Sequence, residues 1–153
     1  MAERVLTRET LGYFQASLAR LKPDSERRFG TMDARHMMRH MRLSLEASLG
    51  LADVPDKSIP VVSRVVFWTI CNVVTKWPGG KLKAPAFWTP PAEDDFEGER
   101  RKLLAILDQF IEKLEAEPKG SGIHPIFGRL TMREWSRLIG LHFRHHFRQF
   151  GVE

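Results

Sequence analysis

Apolar residues recur every three or four positions in four stretches of the chain, and each stretch predicts an amphipathic helix. Leu11, Phe14, Leu18 and Leu21 mark the first, over 10–21, ended by Pro23. The second runs from an N-cap at Thr31 to about Leu49, with Gly50 where a left-handed residue closes a helix. Phe96, Leu103, Leu107, Phe110, Ile111 and Leu114 give the third its stripe, over 93–117. The last starts at Thr131-Met-Arg-Glu134, a capping box in which each side chain satisfies a first-turn amide, and reaches Phe150 before Gly151.

One segment breaks this pattern. Residues 61–77 are almost continuously apolar, interrupted by Arg64, Asn72 and Lys76, and fall short of the ~20 apolar residues that cross a bilayer. A span that long without turn signals predicts a buried helix. Residues 77–91 hold four prolines and a Gly-Gly pair, so they predict an irregular loop, packed back on the body through Trp77, Phe87 and Trp88 and lining a pocket. Residues 118–130 read as a second ordered loop. With no confident strand, the class is all-α: a four-helix bundle with a long crossover between the second and third main helices, and an additional helical segment in it.

Composition fits one domain over 1–153: 42% of residues are hydrophobic and 28% charged, enough for a core without disulfides or a structural metal. The single cysteine, Cys71, lies among valines and isoleucine and reads as a reduced, buried thiol of a cytoplasmic protein. The charged N-terminal stretch has no apolar core or cleavage site of a secretion signal. The net charge of +5 comes from 16 arginines and 8 lysines, but no helix-turn-helix, zinc-finger or stacking motif accompanies it, so nucleic acid is not the expected partner. On the second helix Arg35, Arg39, Arg42 and Glu46 share one stripe, away from His40. On the last, Arg133, Arg137, Arg144 and Arg148 oppose the tryptophan. Both sets are expected to be the solvated skin of the bundle.

Five of the six histidines fall on two helices, His36 and His40 on the second and His142, His145 and His146 on the last. Wound at about 100° per residue, Trp135, Leu138, Ile139, His146 and Gln149 lie within about 60° of His142, with His145 at the edge of that arc. Two histidines at i and i+4 and a third from a neighbouring helix can hold one divalent ion and leave a coordination position open. Histidines bonded within the core, or set against a helix C-terminal dipole, as fits His145, are the alternative readings of the same pattern.

Residues 124–151, HPIFGRLTMREWSRLIGLHFRHHFRQFG, resemble the DinB/YfiT-like superfamily, in particular a bacterial branch ending in HPxFGxLTxxEWxxLxxxHxxHHxxQFG. RFGTM at 28–32, MMRHM at 37–41 and the WPGGKL and TP elements of the central loop agree in order and spacing. The resemblance implies a four-helix bundle with a metal on His40, His142 and His146, zinc or nickel being the expected ion. His145 matches a non-ligand and Gln149 the motif's glutamine. His36, one turn before His40, is the alternative ligand, and Asp33 is a candidate partner for the histidines or a helix cap. The resemblance further implies a metal-dependent enzyme, a thiol-dependent S-transferase or a hydrolase, acting with a small-molecule or low-molecular-weight thiol substrate such as bacillithiol or mycothiol. The contrasting reading is a non-catalytic bundle with a stabilising or vestigial metal site, whose segment 61–77 serves a homodimer or another partner.

Overall fold

The structure, a computed structural model, describes residues 4–77 and 83–153. Five helices dominate it: α1 (Leu11–Arg20), α2 (Ala34–Ser48), α3 (Pro60–Asn72), α4 (Phe96–Ala116) and α5 (Met132–Phe150). A two-stranded sheet, β1 (Ser121–His124) and β2 (Gly128–Thr131), precedes α5, and a 3₁₀ turn occupies Ala86–Trp88. The WPGGKL element lies, apart from Trp77, outside the described residues. Among those residues no helix is long and apolar enough to cross a membrane.

Helix α2 is the central element, with all of its 15 residues buried except Arg35, His36 and Glu46. It packs on α4, α5 and β1, while α5 also meets α1, α3 and β2. Phe14, Met37, Met38, Met41, Phe110, Trp135, Phe143 and Phe147 are fully buried where these helices meet. The capping box forms as expected: Thr131 Oγ1 accepts from Glu134 N, and Glu134 Oε2 accepts from Thr131 N at 2.8 Å. At its other end α5 closes on Gly151, whose φ of 65° costs an L side chain steric strain but not glycine.

Four expectations change. The cap of α2 is Asp33, not Thr31: its carboxylate accepts from His36 N at 2.7 Å, placing a negative charge at the helix N-terminus. Residues 118–130 are not a plain loop, because Ser121 pairs with Thr131 and His124 with Gly128 in an antiparallel hairpin. Each strand has only four residues, too few for their alternation to register as a period. The apolar segment 61–77 is helical only to Asn72, and most of it is not buried: only Ser63, Phe67 and Cys71 are buried, with Ile70 and Trp77 partly packed against the core. Finally, Arg39 and Arg42 are not solvated. They lie buried between α2 and α4, where Arg42 contacts Glu46 at 2.5 Å, Glu93 at 2.8 Å and the fully buried Glu99 at 3.3 Å. Arg39 reaches Glu93 at 3.0 Å and Glu46 at 3.2 Å. A helical wheel shows which residues share a stripe but not that a neighbouring helix brings carboxylates to it. The arginines of α5 match expectation better, Arg133 and Arg137 being exposed and Arg144 and Arg148 half-buried.

Candidate metal centre

The packing of α2 on α5 brings His40 against His142 and His146. The Nε2 atom of His142 stands 2.8 Å from that of His40 and 3.0 Å from that of His146. The three rings are close to mutually perpendicular, with interplanar angles of 85°, 80° and 69°, so their edges and not their faces converge. His40 and His146 are buried, and His142 is half-buried.

The partners of the outer nitrogens decide where the protons sit. His40 Nδ1 lies 2.7 Å from the carbonyl oxygen of Trp88, which can only accept, so Nδ1 carries the proton and Nε2 presents a bare lone pair. Gln149 Nε2 donates to the Phe29 carbonyl at 2.8 Å, which turns its Oε1 toward His146 Nδ1, also at 2.8 Å. His146 must therefore donate from Nδ1, and its Nε2 too is bare. Only His142 has a proton to place among the three facing nitrogens, and that proton can serve one of the two contacts. The other is lone pair against lone pair, which a cation between the rings relieves.

Burial keeps all three rings neutral. It holds the pKa of His40 at about 4, against 6.5 ordinarily, despite the opposing bond to Trp88. His142 and His146 are pushed well below 6.5, first by burial and then by the neighbouring histidines. Neutral imidazole is the form that binds metal. The ligand atoms of His40, His142 and His146 lie within 4.8 Å of one another, close enough to hold an ion. Nitrogens at ~2.0–2.1 Å from a tetrahedral ion stand ~3.3 Å apart, so the two close pairs at 2.8 and 3.0 Å would open by a few tenths of an ångström around one.

The other candidates fall elsewhere. His36 turns to the loop, its Nε2 donating to the Thr89 carbonyl at 2.9 Å. The Asp33 carboxylate serves as the helix cap. His145 packs on Phe29 and Trp77, with ring centroids 5.3 and 6.3 Å away. A helix-dipole role does not describe it, since burial, followed by the charge of Arg148, lowers its pKa to about 4. Cys71 is no nucleophile: burial raises its thiol to about 11. Trp77 flanks His142 at 6.4 Å and Trp88 is buried, but Trp68 is 60% exposed.

Sequence reasoning left His124 without a role. It is buried in β1, where Nδ1 accepts from Ile126 N at 3.1 Å and Phe127 N at 3.2 Å, folding the turn of the hairpin around its ring. The ring stacks on Phe127 at 4.6 Å and meets Trp88 and Trp135. Spacing in HPIFG carried the signal: a side-chain acceptor followed two and three residues later by amides needing one, as in an Asx turn. A second unforeseen feature is the contribution of the loop. Glu99 Oε1 accepts from Glu93 N at 2.7 Å and Asp94 N at 3.0 Å, tying down the chain that delivers the Trp88 and Thr89 carbonyls.

The model of the family described as "Protein of unknown function (DUF1569)" matches residues 1–152. No curated protein and no solved structure matches the chain.

Proposed function

The chain belongs to the DUF1569 family, and from the convergence of its histidines we propose that it is a divalent-metal-dependent enzyme of the DinB/YfiT-like type. In this reading α1, α2, α4 and α5 form the four-helix bundle of that superfamily, α3 is the addition in the crossover, and His40, His142 and His146 hold zinc or nickel. The observation that carries it is the pair of enforced tautomers: Trp88 O and Gln149 Oε1 leave His40 and His146 with bare nitrogens aimed at His142.

When bound, such an ion supplies Lewis acidity at its open position, where it lowers the pKa of a thiol or water and makes a nucleophile at neutral pH. The residues supply position and exclusion. His142, the half-buried member of the three, would mark the open side, and the half-buried Trp77 lies beside it. Trp88 and Gln149 fix ring orientation, the task that outer hydrogen bonds perform at histidine metal sites. The resemblance points to transfer onto a low-molecular-weight thiol, or hydrolysis, in a reducing, cytoplasmic setting that suits the buried Cys71 thiol.

Metal analysis of untagged protein is the test. About one ion per chain is expected, lost in His142→Ala and His146→Ala; wild type that stays metal-free after incubation with zinc, nickel and manganese refutes the proposal. A second reading, a non-catalytic bundle stabilised by the same site, draws on the partners of the rings, which are a carbonyl, an amide and each other, with no carboxylate to move a proton. Thiol-dependent turnover by the metal-loaded protein excludes that reading.

A further inference from the structure

The outer face of α3 has the chemistry of a surface that is covered. Ser63, Phe67 and Cys71 share the inner arc, where Phe67 meets Phe127 at 5.6 Å between ring centroids and Ser63 Oγ donates to the Ile126 carbonyl at 2.7 Å. Wound at about 100° per residue, Trp68, Val61, Val65, Val62, Val73 and Val66 all fall on the opposite side, within an arc of about 160°. They are 41% to 76% exposed.

No charged residue lies in this arc. Arg64, at its margin, is drawn to Glu134 at 2.5 Å. Only Thr69 and Asn72 are polar, and their donors are already used on the helix itself: Thr69 Oγ1 donates to Val65 O at 2.9 Å, and Asn72 Nδ2 to Trp68 O at 2.8 Å. The remaining oxygen, Asn72 Oδ1, accepts from Arg137 at 2.8 Å. Thr69 and Asn72 thus each already hold side-chain partners within this chain, which lowers the cost of desolvating the face.

Its exposed apolar side chains offer roughly 600 Å², the upper end of what monomers leave open, and Ile59 (62% exposed) extends it toward the ~800 Å² per partner of a standard interface. We infer that α3 is the surface through which two copies of this chain associate about a twofold axis. An uncharged row of β-branched side chains is complementary to itself, as an isologous contact requires, and carries no charge that selects a different partner. A helix lying in a membrane interface is rimmed by free cations, whereas Arg64 and Arg137 at this margin are engaged, with Glu134 and with Asn72 Oδ1. The dimer also fixes the segment after α3, which ends in Trp77 beside His142.

Sedimentation velocity of the untagged full chain tests this over 5–100 µM. The expected species has twice the 17.7 kDa chain mass, and Val65→Glu and Thr69→Arg, at an exposed and a half-buried position in the centre of the arc, are expected to be monomers with an unchanged helical circular dichroism. Oxidised Val65→Cys is expected to give a disulfide-linked dimer, a readout that needs no charge on the face. Wild type that remains at one chain mass at 100 µM overturns the inference, as does a dimer that survives both charged substitutions. Monomeric wild type that floats with phosphatidylcholine–phosphatidylglycerol vesicles overturns it in favour of a membrane surface.

Discussion

Gln149→Leu removes the group that fixes the proton on His146 while keeping side-chain volume close to that of glutamine. Two hydrogen bonds of 2.8 Å are lost, one to His146 Nδ1 and one to the Phe29 carbonyl, and Gln149 is buried, so water does not freely replace them. His146 then has no acceptor to hold its Nδ1 proton away from the cluster, and the ring can present either nitrogen. Outer partners of this kind are worth about 10–100-fold in metal affinity, or about 1.4–2.8 kcal/mol. Separately, the stranded Phe29 carbonyl and His146 N–H cost about 1–3 kcal/mol each in the metal-free fold. The two effects are read independently: competition with a chromophoric chelator gives zinc affinity, and urea unfolding in EDTA gives stability. Gln149→Glu keeps an acceptor for His146, so its metal affinity is expected to lie between that of wild type and that of the leucine variant. A Gln149→Leu protein that binds zinc as tightly as wild type would falsify the tautomer argument, even if its stability fell.

Three further outcomes follow from other parts of the molecule. His40→Ala is expected to lose the metal and His36→Ala to keep it, because the His36 ring is engaged with Thr89; metal analysis of the pair separates the two assignments. Burial holds His124 at a pKa of about 3 against 6.5 ordinarily, so between those values the unfolded chain takes up a proton that the folded one refuses. Metal-free stability should thus fall as pH drops below 6.5, by about 1.4 kcal/mol per unit from this residue. Urea midpoints in EDTA at pH 7.5 and 5 should differ less in His124→Asn than in wild type, and an equal difference in the two proteins counts against the assignment. Glu99→Ala leaves Arg42 buried with fewer partners and is expected to cost about 3–5 kcal/mol; an unchanged unfolding midpoint would show that Glu46 and Glu93 suffice.

What was legible in the sequence is what side chains announce by type and spacing. The capping box at Thr131 fixed the start of α5, and the wheel drawn from His142 placed Trp135, His146 and Gln149 inward, where they are. The arginine stripe of α2 misled because charge was equated with solvent. Arg42 is buried, and the bond it gives Glu93 is the main reason that carboxyl sits below its usual range. The partner of His40 was unreadable for a simpler reason. A backbone carbonyl belongs to every residue, so nothing in the letters at 86–89 marks Trp88 as an acceptor; only the 3₁₀ turn aims it. The hairpin leaves little trace in the letters beyond Gly128, whose φ of 72° sits at its turn.

The two orienting devices differ in what they depend on. Gln149 lies one turn beyond His146 on the same helix, so the His142–His146 half of the cluster is set once α5 is formed. His40 is oriented by a loop, and that loop is held by charges: Glu99 accepts the amides of Glu93 and Asp94, while Arg39 and Arg42 of α2 grip the Glu93 carboxylate. The same helix therefore supplies both the candidate ligand and the anchor of the carbonyl that orients it, since Arg39 and His40 are adjacent in α2. The buried ion pairs fix the approach of the loop to α2, and with it the direction of the His40 lone pair. Loosening them should weaken metal binding through His40 alone and leave the α5 pair as it is.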